Sequence, residues 1–350
     1  VLSWSEPMLP GAATDPANYF LEKIGGDAIT VLSAAMGSTP DTVVLTLASP
    51  LEQGANYRVT VDNVTDPGGL PIAPGSQTGF TAWDSPVISE FMASNGSNIY
   101  NTEILLDEDG SSSDWIEIFN PTAAPVNLDG WFLTDDADNP TKWRLPGVTI
   151  AAGTHLLVFA SDKDRTDPAG ELHTNFNLSA NGEYLALIEP DGSGIASEFA
   201  PAFPAQTTGL SFGLVAGSGT EFRYFDSPTP SLPNSATGFL GLVGDTEFDV
   251  HRGFYEGPLD VQVSCLTPGA TIRYTTDMSE PSLTNGSTIV PGVAVPVTTT
   301  TCLRARAFMT DWLPSNIDTQ TYIFPDDVIS QPDNPSGFPS TWGSRTAEYD

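Results

Sequence analysis

Basic residues are scarce in this chain. Only 12 of its 350 residues are Lys or Arg, against 44 Asp and Glu, for a net charge of −32. A surface of that sign repels nucleic acid and anionic membranes and attracts cations, so neither nucleic-acid binding nor membrane insertion is expected. Solvation at high or marine ionic strength is the plainest role for the acid, because salt screens the self-repulsion. Long apolar runs are missing too: nothing approaches the ~20 residues that a bilayer-spanning helix needs. Histidine is limited to His155, His173 and His251, none in a zinc-ligand spacing. Glycine fingerprints for phosphate or dinucleotide are absent. These gaps remove the commonest routes to zinc and nucleotide chemistry. No leader is visible, and Val1 opens inside a strand-like run, so a leader is expected to have been removed or to lie upstream.

What the chain has in quantity is turn chemistry. It holds 32 Gly and 30 Pro, spread without a collagen-like period, and 39% apolar residues, enough to bury several small cores. Turns recur every ten or so positions between short β-branched runs, which is the all-β pattern. Val43, Leu45 and Leu47 alternate with Val44, Thr46 and Ala48, and Tyr57, Val59 and Val61 alternate with Arg58, Thr60 and Asp62. In the last third, Val261, Val263 and Cys265 share one strand face, and Ile272 and Tyr274 share another. No amphipathic helix longer than two turns is expected.

Three stretches resemble known families. The run 107–136 joins the acidic loop Asp-Glu-Asp-Gly-Ser-Ser-Ser-Asp to Trp-Ile-Glu-Ile-Phe-Asn, followed by Leu128-Asp129-Gly130-Trp131. It resembles the lamin-tail domain, an immunoglobulin-like β-sandwich, and the likeness extends over 86–236. There Pro228-Thr229-Pro230 and Pro233-Asn234 read as a domain-ending linker. Residues 1–82, through Ser5-Glu6-Pro7, Asp15-Pro16-Ala17-Asn18-Tyr19 and 51–57, resemble a bacterial Ig-like module of the kind found in S-layer and surface proteins. Such modules usually begin with one more strand, so the chain is expected to be a fragment of something longer. Residues 246–324, through the hairpin 274–281 and Leu303–Phe308, resemble the fibronectin-type-III-like module at the C-terminus of bacterial hexosaminidases and chitobiases; that hairpin usually carries Gly where Met278 stands. Residues 325–350 read as linker. The expected fold is therefore all-β: three tandem Ig-like/fibronectin-like sandwiches in an extended string.

Candidate sites are few. Asp107, Asp109 and Asp114 lie in a glycine-containing acidic loop that could wrap a calcium ion, which takes six to eight oxygens; the alternative is a solvated turn. Asp135, Asp136 and Asp138 form a weaker cluster. With 44 acids available, no carboxylate pair for glycoside hydrolysis stands out. Trp115, Trp131, Trp143 and Trp312 invite a sugar-stacking reading, against which stands core packing, favoured more for the first two than for the others. Cys265 and Cys302 would close a loop of about 38 residues, a disulfide contributing roughly 4 kcal/mol, yet strand parity sets Cys302 on the face of Arg304 and Arg306. Pairing and separation stay equally open.

The resemblances together imply a non-catalytic extracellular or cell-surface scaffold or adhesive segment of a larger secreted bacterial protein. Its partners would be other protein modules, copies of itself, or surface glycans. The alternative is a carbohydrate-binding accessory region of a polysaccharide-degrading enzyme.

Overall fold

A computed structural model of the chain describes residues 1–52, 54–330 and 339–347. It is all-β, built of antiparallel sheets in tandem sandwiches, and it divides into two compact units, Val1–Gly238 and Phe239–Asp350. Among the described residues the first unit holds two large hydrophobic cores and a small cluster around Trp115, and the second unit holds one core. Among the described residues no helix is long and apolar enough to cross a membrane; the α-helices are the short turns Pro10–Ala13 and Pro325–Ile329, each with Pro at its start.

In residues 1–82 a three-stranded sheet of Leu2–Ser3, Thr42–Leu47 and Val31–Met36 lies against a four-stranded one. The latter runs Ala28–Ile29, Tyr19–Lys23, Asn56–Val61, Ser76–Thr81. The period-2 reading holds: Val43, Tyr57, Val59 and Val61 fill the core, and Val44 and Arg58 face out. The Asp15-Pro16 step is a capped 3-10 turn, Asp15 accepting the Ala17 N–H at 2.9 Å.

The next sandwich carries the molecule's largest core. Its five-stranded sheet is ordered His155–Ala160, Asp114–Phe119, Val87–Met92, Ser211–Leu214, Phe222–Phe225. Its four-stranded sheet is ordered Trp143–Arg144, Phe132–Thr134, Leu185–Ile188, Ile195–Phe199. Phe91, fully buried, lies 5.0, 4.8 and 5.8 Å from the rings of Phe199, Phe203 and Phe212. Residues 228–234 are not the free linker their prolines suggested. They form a strap over the outer face of the five-stranded sheet, tied down by Thr229, Ser231 and Asn234.

In the second unit, Asp318–Ile323, Thr301–Phe308 and Thr271–Thr275 form the centre of a five-stranded sheet. Leu303, Ala305 and Ala307 point inward and Arg304 and Arg306 outward. Met278, where the related hairpins place Gly, adopts φ +66° and is exposed. The cysteines are unpaired. Cys265 packs on the core side and its thiol donates to the Gly244 carbonyl at 3.1 Å, whereas Cys302 follows the outward parity of the two arginines. Two side chains on opposite faces of their strands cannot meet the disulfide geometry. Of the expected linker, Thr341–Trp342 pairs with Arg345–Thr346, while 331–338 and 348–350 lie outside the described residues.

Candidate functional site

The acidic loop folds around a lysine. Gly110, at φ +76°, closes a tight turn in which its N–H bonds the Asp107 carbonyl at 2.8 Å. The Asp107 carboxylate then accepts the Asp109 and Ser111 N–H groups at 3.0 and 2.9 Å and the Ser113 hydroxyl at 2.7 Å. Its fourth donor is the Lys163 ammonium at 2.5 Å, which also reaches Asp109 at 2.9 Å. Arg165 pairs with Glu108 and, at 2.6 Å, with Asp109. Asp162 and Asp164 both take left-handed backbone, at φ 58° and 51°, which curls this segment so that Lys163 and Arg165 project together onto the loop. Burial alone would raise the Asp107 pKa; the Lys163 ammonium and the Ser113 and Ser111 donors outweigh it and hold the carboxyl far below the usual range.

Asp114 takes no part in this cluster. It accepts the Asn95 N–H at 3.4 Å, and burial pushes its pKa up to about 6. The three residues of the candidate calcium loop are placed apart: Asp107 and Asp109 converge on an ammonium, Asp114 does not join them, and among the described residues no three His, Cys, Asp or Glu are grouped so as to hold a metal ion. A signal for this existed in the sequence, since two of the 12 basic residues fall within Lys163–Arg165. The second cluster is likewise internal, with Asp135 on Lys142 at 2.6 Å and Asp136 accepting the Asp138 N–H at 3.0 Å. Lys163→Met is expected to destabilise the first unit by about 1–2 kcal/mol at pH 7. It strands a buried carboxylate, while the 22% exposure of Lys163 limits the penalty. Adding Asp107→Asn should recover most of the loss in urea unfolding. Because the folded Asp107 pKa is depressed, this stabilisation is present above about pH 4 and disappears as the pH falls below it.

A second constellation escaped the sequence reading. Glu90 and Glu117 sit directly opposite each other on adjacent strands, both fully buried. Glu90 accepts from the Ser211 hydroxyl at 2.5 Å and from Thr229 N–H and Oγ1 at 3.1 and 3.0 Å. Glu117 accepts from the Ser89 hydroxyl and the Ser231 N–H, each at 2.6 Å. Burial raises both pKa values, to about 7 for Glu90 and about 8 for Glu117, against the pull of those donors. His155, stacked on Phe119 at 4.5 Å, brings Nε2 within 3.8 Å of Glu117; burial lowers its pKa. His173 is also buried, stacked on Phe159 and bonded through Nδ1 to Ser161 at 2.8 Å. Both imidazoles pack inward, His155 from an edge strand, because each finds an aromatic neighbour on an adjoining strand or loop.

The tryptophans are mostly structural. Trp115, Trp131 and Trp143 are all buried, and Trp143 satisfies its indole N–H on Asp164 at 3.1 Å. Trp115 stacks not between the sheets but on the outer face, with Met92 and Phe159 under Leu105. Trp312 packs against the core of the second unit.

The two sandwiches of the first unit are joined by close backbone contact. A Cβ on Gly54 would lie 2.6 Å from the Gly219 carbonyl oxygen, and one on Gly219 would lie 2.3 Å from that of Gly54. Asn56 Nδ2 donates to the Ser218 carbonyl at 2.7 Å, and Asn56 Oδ1 accepts from Thr81 at 2.7 Å. Beside this joint lies a cavity of about 270 Å³ whose lining includes Trp83, Phe119, His155 and Val215.

Comparison with known proteins supports two of the resemblances. Residues 87–199 match the family model of the Lamin Tail Domain, and residues 250–319 that of the Chitobiase/beta-hexosaminidase C-terminal domain. No curated protein matches the chain. Among solved structures, the S-layer protein rSbsC(31-844) aligns at 12% identity over 95% of this chain and 53% of that one, with a TM-score of 0.23. This chain thus spans about half the length of that structure. A DUF4876 family protein from Bacteroides thetaiotaomicron aligns at 12% identity over 49% and 62%, also at 0.23. Salmonella alpha-2-macroglobulin aligns at 13% over 92% and 24%, at 0.19. Scores this low carry no property from those proteins to this chain.

Proposed function

We propose that this chain is a non-catalytic spacer in a larger extracellular or cell-surface bacterial protein, holding neighbouring modules at a set distance and angle. The observation that carries this reading is the joint at Gly54 and Gly219. Two sandwiches connected by a short link would ordinarily move independently. Here the chain gives up side chains at two positions so that backbone can meet backbone, and it adds the Asn56–Ser218 bond across the gap. Stiffness across a module boundary is what a spacer needs and what an isolated binding module does not. The acidic surface, at a net −32, keeps such a segment soluble and separated from like-charged neighbours. Its partners in this reading are adjoining protein modules. The carbohydrate-binding alternative is weakened by the burial of Trp115, Trp131 and Trp143, whose faces pack against protein.

The test is ¹⁵N relaxation on the intact chain. Residues 1–82 and 87–236 are expected to report one common rotational correlation time. Two distinct times would remove the basis of the spacer reading, and saturable binding of the purified chain on a glycan array would favour the alternative.

A further inference from the structure

The strap 228–234 is held by groups whose charge depends on protons. We infer that Glu90 and Glu117 form a proton-controlled latch: the strap stays docked while the pair retains at least one proton and is released when both carboxylates are ionised.

The inference stands on how the pair is built. A bulge at Ser89 turns Glu90 to the outer face of the five-stranded sheet, where it meets Glu117 across the ladder. Side chains directly opposite on neighbouring antiparallel strands have Cβ atoms only about 5 Å apart. Two negative charges at that spacing, both out of water, repel strongly, and one proton between them removes the repulsion.

Only neutral hydrogen-bond donors offset a double charge. Among the described residues neither glutamate has a Lys or Arg ion pair, although the chain spends its few basic residues on other carboxylates. On the adjoining strand Asp114–Phe119 the facing group is Glu117 itself. From His155–Ala160 comes His155, kept neutral at pH 7 by burial. The strand Ser211–Leu214 offers only the Ser211 hydroxyl, because Gly213 presents no side chain opposite Glu90. On the edge strand Phe222–Phe225, Arg223 is committed to Glu221. The strap brings the acid Asp226 just before it and no base within 228–234.

Beyond the two glutamates the strap is held through Asn234, whose Oδ1 also accepts from the Thr229 hydroxyl at 3.0 Å. Thr229 is anchored through its N–H and hydroxyl to Glu90, and Ser231 through its N–H to Glu117, with Ser231 in a left-handed backbone at φ 67°. Asn234 fixes the far end on the Ser89 and Leu214 carbonyls at 2.9 and 2.8 Å. Space for this end exists because a Cβ on Gly213 would lie 2.8 Å from Asn234 Nδ2. Ionised carboxylates still accept these bonds, so release is driven by the return of water to two buried charges, and it frees 228–231 first because Asn234 holds the far end. The raised pKa values of both groups put the last proton's departure near pH 8.

The test is amide hydrogen exchange on the full chain, followed at Thr229 and Ser231 and corrected for intrinsic rates. Between pH 6 and pH 9 protection of these two amides is expected to fall, by about tenfold per pH unit while the docked pair holds one proton more than the released pair, and to level off above the upper pKa. Amides inside Leu185–Ile188 should show no such fall. In the double variant E90Q/E117Q, which cannot ionise, Thr229 and Ser231 should keep their protection at pH 9. Unchanged protection in the wild type, or an equal loss in the variant, would overturn the latch. Should the variant fail to fold, carboxyl ¹³C titration of the wild type decides. A pair fully ionised at pH 6 refutes the proposal, and one that loses its last proton near pH 8 sustains it.

Discussion

Phe91→Ala is expected to cost the first unit about 3–5 kcal/mol in urea unfolding while leaving the transition of the second unit where it is. Phe91 is the hub of an aromatic cluster that spans both sheets of the larger sandwich. It comes from Val87–Met92, while Phe199 belongs to the opposing sheet and Phe203 to the loop that follows it. Removing the ring takes away its own burial and opens a void lined by three other rings, each of which loses an aromatic neighbour; Phe199 and Phe212 cannot close the gap without leaving their strands. The second unit keeps its stability because its core, centred on Val261, Leu303 and Tyr322, shares no residue with that of Phe91. A loss below about 1 kcal/mol, or a matching shift in the second unit, would show that the cores are not independent.

Gly219→Val is expected to separate the first two sandwiches while leaving both folded. The new Cβ would sit 2.3 Å from the Gly54 carbonyl oxygen and 2.7 Å from Thr81 Cγ2, on a residue at φ +78°. Backbone cannot yield as a flexible side chain can, so the joint opens. The strain and lost contact come to about 2–4 kcal/mol, spread over the joint and not the cores. Gly217→Ala is the control: it shares the left-handed backbone, at φ +76°, but meets nothing within 4 Å. It should lose about 1 kcal/mol by backbone strain alone and leave the common tumbling intact. If Gly219→Val tumbled as one body, the contact would not be what couples the modules, and the spacer reading would lose its support.

Much of the fold was legible in local pattern. Tyr57, Val59 and Val61 announced their inward face by alternation, as did Leu303, Ala305 and Ala307. The aromatic strand around Trp115 and the hairpin near Tyr274 led to families that the comparisons then matched. Strand parity left the pairing of Cys265 with Cys302 open, and the fold keeps the two apart. The candidate sites were less legible. Ile88 and Glu90 should share a face if the strand were regular. The bulge at Ser89 inserts one residue, so that Ile88 and Phe91 both enter the core and Glu90 turns outward onto Glu117.

By itself, then, the order of residues determined the class of the fold, the positions of many of its strands and, where a strand runs without a bulge, which face is apolar. These are properties of spacing within a few residues, where side-chain alternation and turn chemistry act. Only the tertiary structure decided that Lys163 would serve as the cation of a loop 56 positions away, that two glutamates would share one buried place, and that a proline-rich tail would become a strap. Each of those joins groups remote in sequence. Desolvation and charge pairing depend on distance through space, which no local period encodes.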